Sequence, residues 1–321
     1  MIHPDYREFT TVPKRSDRYF RFGISSLSGF SLLLLTLIGL FLAYRGYEIF
    51  KQEGFHFLTN YDWNVTTDEQ GNQVVNVGIG AMLIGTVLIA TIALLTALPI
   101  SIGASLFLTF YAPEKIKKAL TTAIDLMAAF PSILYGLWGY WVLMPMAEYW
   151  AKLLNKYLGF LPFFKVPEAF YERSPFVAGL VLCVMVIPII TSVSREIYSQ
   201  TPLERIQAAY SLGATKWAMI KSVVLPFGAS GVAGAAMLAL GRAFGETVAV
   251  FTVLNIVFKP NLDMLFGIGG NVASMIVLKW GEATPIETKA LLASGFVLFV
   301  LTLIINIFAD LIVDKAVKSG K

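Results

Sequence analysis

Six long apolar runs dominate the sequence and limit what the chain can fold into. A run of about 20 apolar residues is long enough to cross the hydrocarbon core of a bilayer as a helix. Only helices or closed barrels satisfy their backbone hydrogen bonds in lipid, and apolar runs of this length are typical of helices. We therefore predict an all-α, polytopic membrane protein with six transmembrane helices within residues 22–313, at 22–43, 77–111, 119–146, 176–193, 229–254 and 290–313.

The composition agrees with a membrane protein. The chain is 56% hydrophobic and 14% charged, whereas soluble domains have about 25% charged residues. The first run is too long for the apolar region of a cleavable signal peptide, so we predict a retained signal-anchor helix. It follows a basic N-terminal segment, 1–21, and residues 314–321 form a short tail. A single cysteine excludes an intrachain disulfide, and the two histidines lie far from any other ligand, so no metal site is predicted.

Basic residues are distributed unevenly between the segments that join the runs. The N-terminal segment, 112–118, 194–221 and the tail carry 15 Lys and Arg residues, against 9 in the three alternate loops. Because Lys and Arg accumulate in cytoplasmic loops, this pattern predicts that both termini are cytoplasmic. The segment 257–289 is then an outer loop, in which an apolar stretch predicts a short helix on the surface.

Prolines and one aspartate interrupt the apolar runs. Pro131 and Pro188 are predicted to kink or break their helices, and the run 77–111 to tilt or to break at Pro99. Asp125 follows shortly after the lysine-rich end of 112–118. We predict that it is an exposed residue near the cytoplasmic end of the third helix; the alternative is a role in a translocation path.

A cation and a carboxylate lie near the middle of the fifth run. Arg242 and Glu246 are four residues apart, which places them on one face of a continuous helix. A charge at mid-membrane costs on the order of 3 kcal/mol on insertion scales, and such residues are usually functional. A guanidinium offers an anion a permanent charge and several donors, and a carboxylate one turn away would hold it when no anion is bound. The alternative is an ion pair that only ties two helices together.

The segment between the fourth and fifth runs carries the most specific pattern. It reads Gln-Ala-Ala-Tyr-Ser-Leu-Gly from Gln207 to Gly213 and, nine residues later, Val-Val-Leu-Pro ending at Pro226. This pattern resembles the loop that ABC importer permeases present to their ATPase subunits, with Gln207 in place of the usual glutamate. Small alanines let another surface approach, and the glycine can adopt the left-handed conformation that ends a short helix. The alternative is a generic amphipathic helix at the membrane surface.

The first resemblance implies the type I ABC importer permease fold, also called MetI-like. It implies a cytoplasmic ATPase-docking loop at 194–226. The residues expected to make the contact are Gln207, Ala208, Ala209, Gly213, Leu225 and Pro226.

A second resemblance concerns the substrate. The stretches 241–250 and 125–139 are similar to motifs of the PstC family of phosphate-importer permeases, with Asp125 where that family has Glu. The similarity covers essentially the whole chain. It implies that Arg242, Glu246 and Thr247 line the pathway of an ATP-driven phosphate importer in the bacterial inner membrane. The implied partners are a PstA-like permease, two PstB-like ATPase subunits, a PstS-like periplasmic phosphate-binding protein and membrane lipid.

The chain is predicted to be a transport subunit and not an enzyme. It has no Gly-x-x-x-x-Gly-Lys-Ser/Thr loop with which to bind ATP itself, and neither catalytic residues nor a cofactor are predicted. Three alternatives remain open. They are a permease for another oxyanion such as sulfate or molybdate, a secondary anion transporter or channel gated by the Arg–Glu pair, and a scaffold that reports phosphate supply.

Overall fold

The computed structural model describes residues 15–67, 73–166, 170–259, 263, 265 and 269–319, and this part of the chain is almost entirely helical. Residues 1–14 of the predicted N-terminal segment and the last two residues of the tail lie outside the described residues. The elements are helices α1 Arg15–Glu53, α2 His56–Thr59, strands β1 Trp63–Thr67 and β2 Gln73–Val77, then α3 Gly80–Leu106, α4 Glu114–Ala129, α5 Ser132–Trp138, α6 Met144–Leu158, α7 Pro175–Ser199, α8 Leu203–Ser211, α9 Lys216–Met219, α10 Leu225–Gly245, α11 Val248–Val253, α12 Val272–Trp280 and α13 Pro285–Ser319.

Within the described residues, five helical segments are long and apolar enough to cross a membrane, and one sharply bent pair of helices makes a sixth crossing if the pair is counted as one span. The five contain α1, α3, α7, α10 and α13. The bent pair lies in the third apolar run, 119–146, where α4 and the helical segment that begins with α5 meet at an angle of 99°.

Proline explains where that third run breaks. Phe130 is extended (φ −66°, ψ 139°) and Pro131 precedes the first residue of α5. A proline lacks an amide hydrogen and disfavours helical geometry in the residue before it, so the predicted effect of Pro131 is confirmed. Pro99 and Pro188 lie inside continuous helices and do not break them.

Among the described residues, three short π-helical segments lengthen an α-helix or join two of them. Phe107–Tyr111 extends α3, Gly139–Leu143 joins α5 to α6, and Ile220–Val224 joins α9 to α10. As a result, Lys216–Gly245 is one helical segment of 30 residues.

The core of the bundle forms where α3, α7 and α10 pack together. Small residues make close packing possible: Ala93 and Ala97 of α3 are fully buried, and a Cβ at Gly179 of α7 would lie 2.5 Å from Ile92. Interiors packed this closely transmit a displacement of one helix to its neighbours.

Helix α1 lies at the edge of this bundle and crosses α13. A Cβ at Gly46 would lie 2.8 Å from the Cα of Ala293, and one at Gly39 would lie 3.0 Å from the ring of Phe299. Within this chain, only 6% of the apolar window of α1 is buried. That surface suits contact with lipid chains or another membrane helix.

At the opposite end from α8, strands β1 and β2 form an antiparallel hairpin with Trp63 paired to Val77. The Trp63 indole stacks on Phe258, donates a hydrogen bond to Glu287 Oε1 (3.2 Å) and lies beneath the Lys279 ammonium. The short helix predicted in 257–289 is α12, but its first turn is buried, so a helix wholly on the surface is wrong.

Candidate functional site

Arg242 lies on α10 beside a cavity of about 650 Å³. Its side chain is exposed within this chain, and among the described residues no carboxylate lies within 4 Å of it. The cavity is mostly apolar, and Asn306 of α13 contributes a second polar side chain. Its lining residues are Ile189, Gly234, Met237, Leu238, Gly241, Arg242 and Asn306.

The depth of this cavity follows from the helix that passes beside it. At 1.5 Å per residue, Ile189 lies about 21 Å from Pro175 and about 15 Å from Ser199 along α7. A side chain that shares a cavity with Ile189 is therefore near the middle of the span. The mid-membrane position of Arg242 itself stays a prediction.

Arg242 and Glu246 do not form the expected pair on one helix face. Helix α10 ends at Gly245, and Glu246 has an extended backbone (φ −70°, ψ 121°). Among the described residues, no ion pair joins the two side chains. The expectation that the carboxylate holds the guanidinium in the resting protein is therefore wrong for this conformation.

The Glu246 carboxylate instead caps the next helix. It is 8% exposed, and its Oε1 accepts a hydrogen bond from the Ala249 amide at the start of α11 (3.1 Å). Negative charge at a helix N-terminus is favourable because the first amides are unpaired and the helix dipole is positive there. This contact explains how a buried carboxylate is tolerated without a cation.

Asn271 fixes the backbone at the same break. Its Nδ2 donates to the Glu246 carbonyl (2.9 Å), and its Oδ1 accepts from the Ser274 amide (2.8 Å), which caps α12. The next amide, Val272, donates to Thr86 Oγ1 of α3 (3.0 Å). The break between α10 and α11 is thereby anchored to two other elements.

Thr247 precedes α11 and is half-buried. Its Oγ1 donates to the Gly245 carbonyl (3.2 Å), and its carbonyl accepts from the Phe251 amide. Helix α11 packs tightly on α5, because a Cβ at Gly136 would overlap the Thr252 hydroxyl. Thr247 therefore lies at the break after α10, where its hydroxyl bonds to the backbone, and like Glu246 it is not among the residues that line the cavity of Arg242.

Tyr135 of α5 lies close enough to Arg242 for the two side chains to interact electrostatically. Its hydroxyl donates to the Met127 carbonyl of α4 (2.6 Å), which bridges the bend at Pro131. Neither Tyr135 nor Asn306 was identified from the sequence as a site residue. Asn306 had a signal, since it is a lone amide inside an apolar run, whereas Tyr135 had none beyond its position in the 125–139 motif.

The predicted docking residues form a separate surface at the far end of α7. Helix α8 has no buried residue along its whole length. Gln207, Ala208 and Gly213 are exposed, while Ala209 is half-buried. A helix that buries only part of one face, at Ile206 and Ala209, in its own chain suits a contact with another subunit.

Gly213 ends α8 in the way the sequence predicts. Its φ is +79°, the Ala214 amide donates to the Ala209 carbonyl (3.1 Å), and the Gly213 amide donates to the Tyr210 carbonyl (2.9 Å). This pair of bonds is a Schellman motif, which requires a left-handed residue after the helix. The predicted conformation of Gly213 is confirmed.

A cleft of about 530 Å³ lies between α8 and the start of α10. It brings together residues from both halves of the predicted loop. Leu225 lies outside it, in a second groove with Trp217. The cleft is lined by Arg205, Ala208, Ala209, Leu212, Ala214, Ser222, Val223, Pro226 and Phe227.

Asp125 is exposed, as predicted, but it lies near the end of α4 at the Pro131 bend and not at the lysine-rich start of that helix. Its Oδ1 accepts a hydrogen bond from Ser192 Oγ of α7 (2.9 Å). The contact ties the two helices together, and Asp125 is not among the residues around the cavity of Arg242.

Comparison with known proteins shows the family of the chain. Residues 97–318 match the model of the family described as "Binding-protein-dependent transport system inner membrane component". The chain belongs to this family. As a member, this permease is a multi-pass inner-membrane transport subunit and not an enzyme.

Relatives of the permease are named "Phosphate transport system permease protein PstC". The protein from Mycobacterium leprae is 40% identical over 97% of this chain and 95% of its own length. PstC 2 from Mycobacterium tuberculosis is 39% identical over 96% and 93%, and the protein from Xylella fastidiosa strain Temecula1 is 35% identical over 92% and 90%. The predicted resemblance to the PstC family is confirmed.

Solved structures support the fold. A bacterial alginate ABC transporter, solved with its alginate-bound periplasmic protein, aligns with a TM-score of 0.59 over 94% of this chain and 96% of that chain at 16% identity. The inward-facing MetNI methionine ABC transporter aligns with a TM-score of 0.51 over 74% and 93%, also at 16% identity. The predicted fold of an ABC importer permease is confirmed.

Proposed function

We propose that this permease forms half of the membrane pathway of an ATP-driven phosphate importer, with Arg242 as the mid-membrane contact for phosphate. The observation that carries the proposal is a guanidinium at mid-depth beside a cavity, with no carboxylate bound to it in the described chain, in a protein whose relatives are phosphate permeases. Phosphate presents oxygens on all sides, and arginine binds such anions through several fixed, charge-assisted donors.

The position of the Glu246 carboxylate leaves Arg242 available to phosphate. Glu246 is held at the break before α11, so it does not occupy the guanidinium. Phosphate would therefore contact Arg242 without displacing a carboxylate. Thr247 at the same break is the third residue assigned to the pathway.

The second part of the proposal is that α8 receives the ATPase. Its surface and the adjoining cleft would accommodate a PstB-like subunit on the cytoplasmic side. The helical segment Lys216–Gly245 is about 45 Å long at 1.5 Å per residue. It begins beside the docking surface and ends beside Arg242, so movement of the ATPase would reach the phosphate contact through one helix.

The complete importer would contain the other predicted subunits. A PstA-like permease would face the open side of the Arg242 cavity and supply the other half of the pathway. A PstS-like binding protein would dock on the opposite side from α8, where the β1–β2 hairpin and α12 lie. Both termini would be cytoplasmic, in agreement with the distribution of Lys and Arg.

Purification with co-expressed PstA-like, PstB-like and PstS-like partners tests the proposal. We expect a stable complex whose ATP hydrolysis rises when the phosphate-loaded binding protein is added and not when the binding protein is empty. Radiolabelled phosphate should accumulate in proteoliposomes only with ATP. Uptake of sulfate or molybdate in place of phosphate would contradict the substrate, and flux without ATP would contradict the importer mechanism.

A further inference from the structure

Arg173 stands immediately before α7 in a conformation that arginine rarely adopts. Its φ is +53°, and among the described residues no other non-glycine residue has a positive φ. This region of backbone space is unfavourable for a residue with a Cβ. Such strain at a residue that is only half-buried is a reason to ask what the side chain does.

The charge of Arg173 is not neutralised by the part of the chain that the structure describes. Its Nη1 donates to Asn255 Oδ1 (2.6 Å), and its guanidinium lies 5.4 Å from the centre of the Tyr140 ring. Both partners are neutral. The neighbouring Glu172 is exposed, and no described carboxylate lies within 4 Å of Arg173. The positive N-terminus of α7 further raises the local potential.

The two partners connect Arg173 to the surroundings of Arg242. Asn255 follows α11, whose other end is the break at Glu246 and Thr247. Tyr140 belongs to the π-helical segment that follows α5, and α5 itself contains Tyr135, which interacts electrostatically with Arg242. Both partners of Arg173 thus belong to stretches of chain that continue directly from α5 and α11.

Arg173 lies on the opposite side of the membrane from the docking surface. Helix α7 spans about 37 Å at 1.5 Å per residue, and α8 follows its far end. Because Ile189 is level with Arg242, the start of α7 is about 20 Å farther out. If α8 is cytoplasmic, Arg173 is on the periplasmic side.

We propose that Arg173 is the outer phosphate-receiving residue, which binds the anion as it leaves the binding protein and before it reaches Arg242. A guanidinium has five N–H donors, and one hydrogen bond to Asn255 leaves the others for phosphate oxygens. Asn255 and Tyr140 hold the group in place while leaving its charge intact. This inference rests on the proposed function, since it assigns a second contact in the same pathway.

A purely structural role is the competing explanation, in which Arg173 only ties α7 to the segment after α11. Three variants separate the two. Arg173→Asn removes the charge but tolerates the left-handed backbone, Arg173→Lys keeps the charge, and Asn255→Ala removes the tie but keeps the guanidinium. The measurement is phosphate transported per ATP hydrolysed by the reconstituted complex at saturating phosphate-loaded binding protein.

We expect Arg173→Asn to lower phosphate transported per ATP at least about fivefold while ATP hydrolysis is still stimulated, because charge-assisted contacts are the strong ones. Arg173→Lys and Asn255→Ala should stay within about twofold of wild type. An unchanged ratio in Arg173→Asn would overturn the inference. Equal losses in all three variants would also overturn it, in favour of a structural tie.

If Arg173→Asn does not assemble, Arg173→Gly, which relieves the backbone strain, is judged by the same criteria. Wild-type complex that moves no phosphate would refute the proposed function itself. Normal wild-type transport with a normal Arg173→Asn or Arg173→Gly ratio would refute only the role of Arg173.

Discussion

Replacing Glu246 separates two roles for its carboxylate, a cap of α11 and a counter-ion of Arg242. Glu246→Ala removes the acceptor of the Ala249 amide, and both residues are buried. A buried donor left without a partner costs about 1–3 kcal/mol. Glu246→Gln keeps an acceptor oxygen in place and loses mainly the interaction with the helix dipole, which is about 0.3–1 kcal/mol. We therefore expect Glu246→Ala to destabilise the complex clearly more than Glu246→Gln.

Thermal inactivation of the purified complex, followed by gel filtration, measures this difference. Phosphate uptake is measured alongside, well below the inactivation temperature. On the capping account, Glu246→Gln retains at least about one fifth of the wild-type uptake, because a loss under 1 kcal/mol is less than a factor of about five. If Glu246→Gln kept its stability but lost uptake as fully as a variant of Arg242, the carboxylate charge itself would be required and the reasoning would be refuted.

Three further substitutions test local contacts. Gly213→Ala should destabilise the docking loop by about 1 kcal/mol, because the φ of Gly213 is positive, and it should lower the stimulation of ATP hydrolysis. Gly213→Asn should have a milder effect on both. Equal stimulation in wild type and both variants would contradict this. Gly85→Ala should destabilise the complex by about 1–3 kcal/mol through overpacking, because the new Cβ would overlap the Gly270 carbonyl. Thermal inactivation measures the loss. Gly103→Ala is the control, because a Cβ there has open space within this chain. Asn271→Asp should lower the inactivation temperature, because aspartate cannot donate a hydrogen bond to the Glu246 carbonyl. Aspartate caps a helix as well as asparagine does, so the expected loss of about 1–3 kcal/mol of stability comes from that one bond. Wild-type stability would show that this bond is unimportant.

The sequence was sufficient for the features that depend on nearby residues. The length of an apolar run decides whether a helix crosses the membrane, so the crossings were predicted from local composition. Gly213 was predicted to be left-handed because a Schellman motif is built from six consecutive residues, and φ is +79°. The break at Pro131 is local for the same reason.

The contacts of Glu246 could not be predicted, because they depend on distant parts of the chain. Spacing alone placed Glu246 one turn after Arg242 on an unbroken helix. The helix ends between them where Asn271, 25 residues later, binds the Glu246 carbonyl and the carboxylate binds the Ala249 amide. The same limitation hid Tyr135 and the bond between Arg173 and Asn255, which are 82 residues apart.

The central claim is that the positive charge of Arg242 carries phosphate through the middle of the membrane. Uptake of radiolabelled phosphate by the reconstituted importer, with wild type, Arg242→Lys and Arg242→Gln compared at equal amounts of assembled complex, tests it most directly. A charge-assisted contact worth about 1.5–3 kcal/mol corresponds to a loss of about 10- to 100-fold. We predict that loss for Arg242→Gln, partial retention for Arg242→Lys and unchanged assembly for both. Wild-type uptake by assembled Arg242→Gln complex would contradict the account.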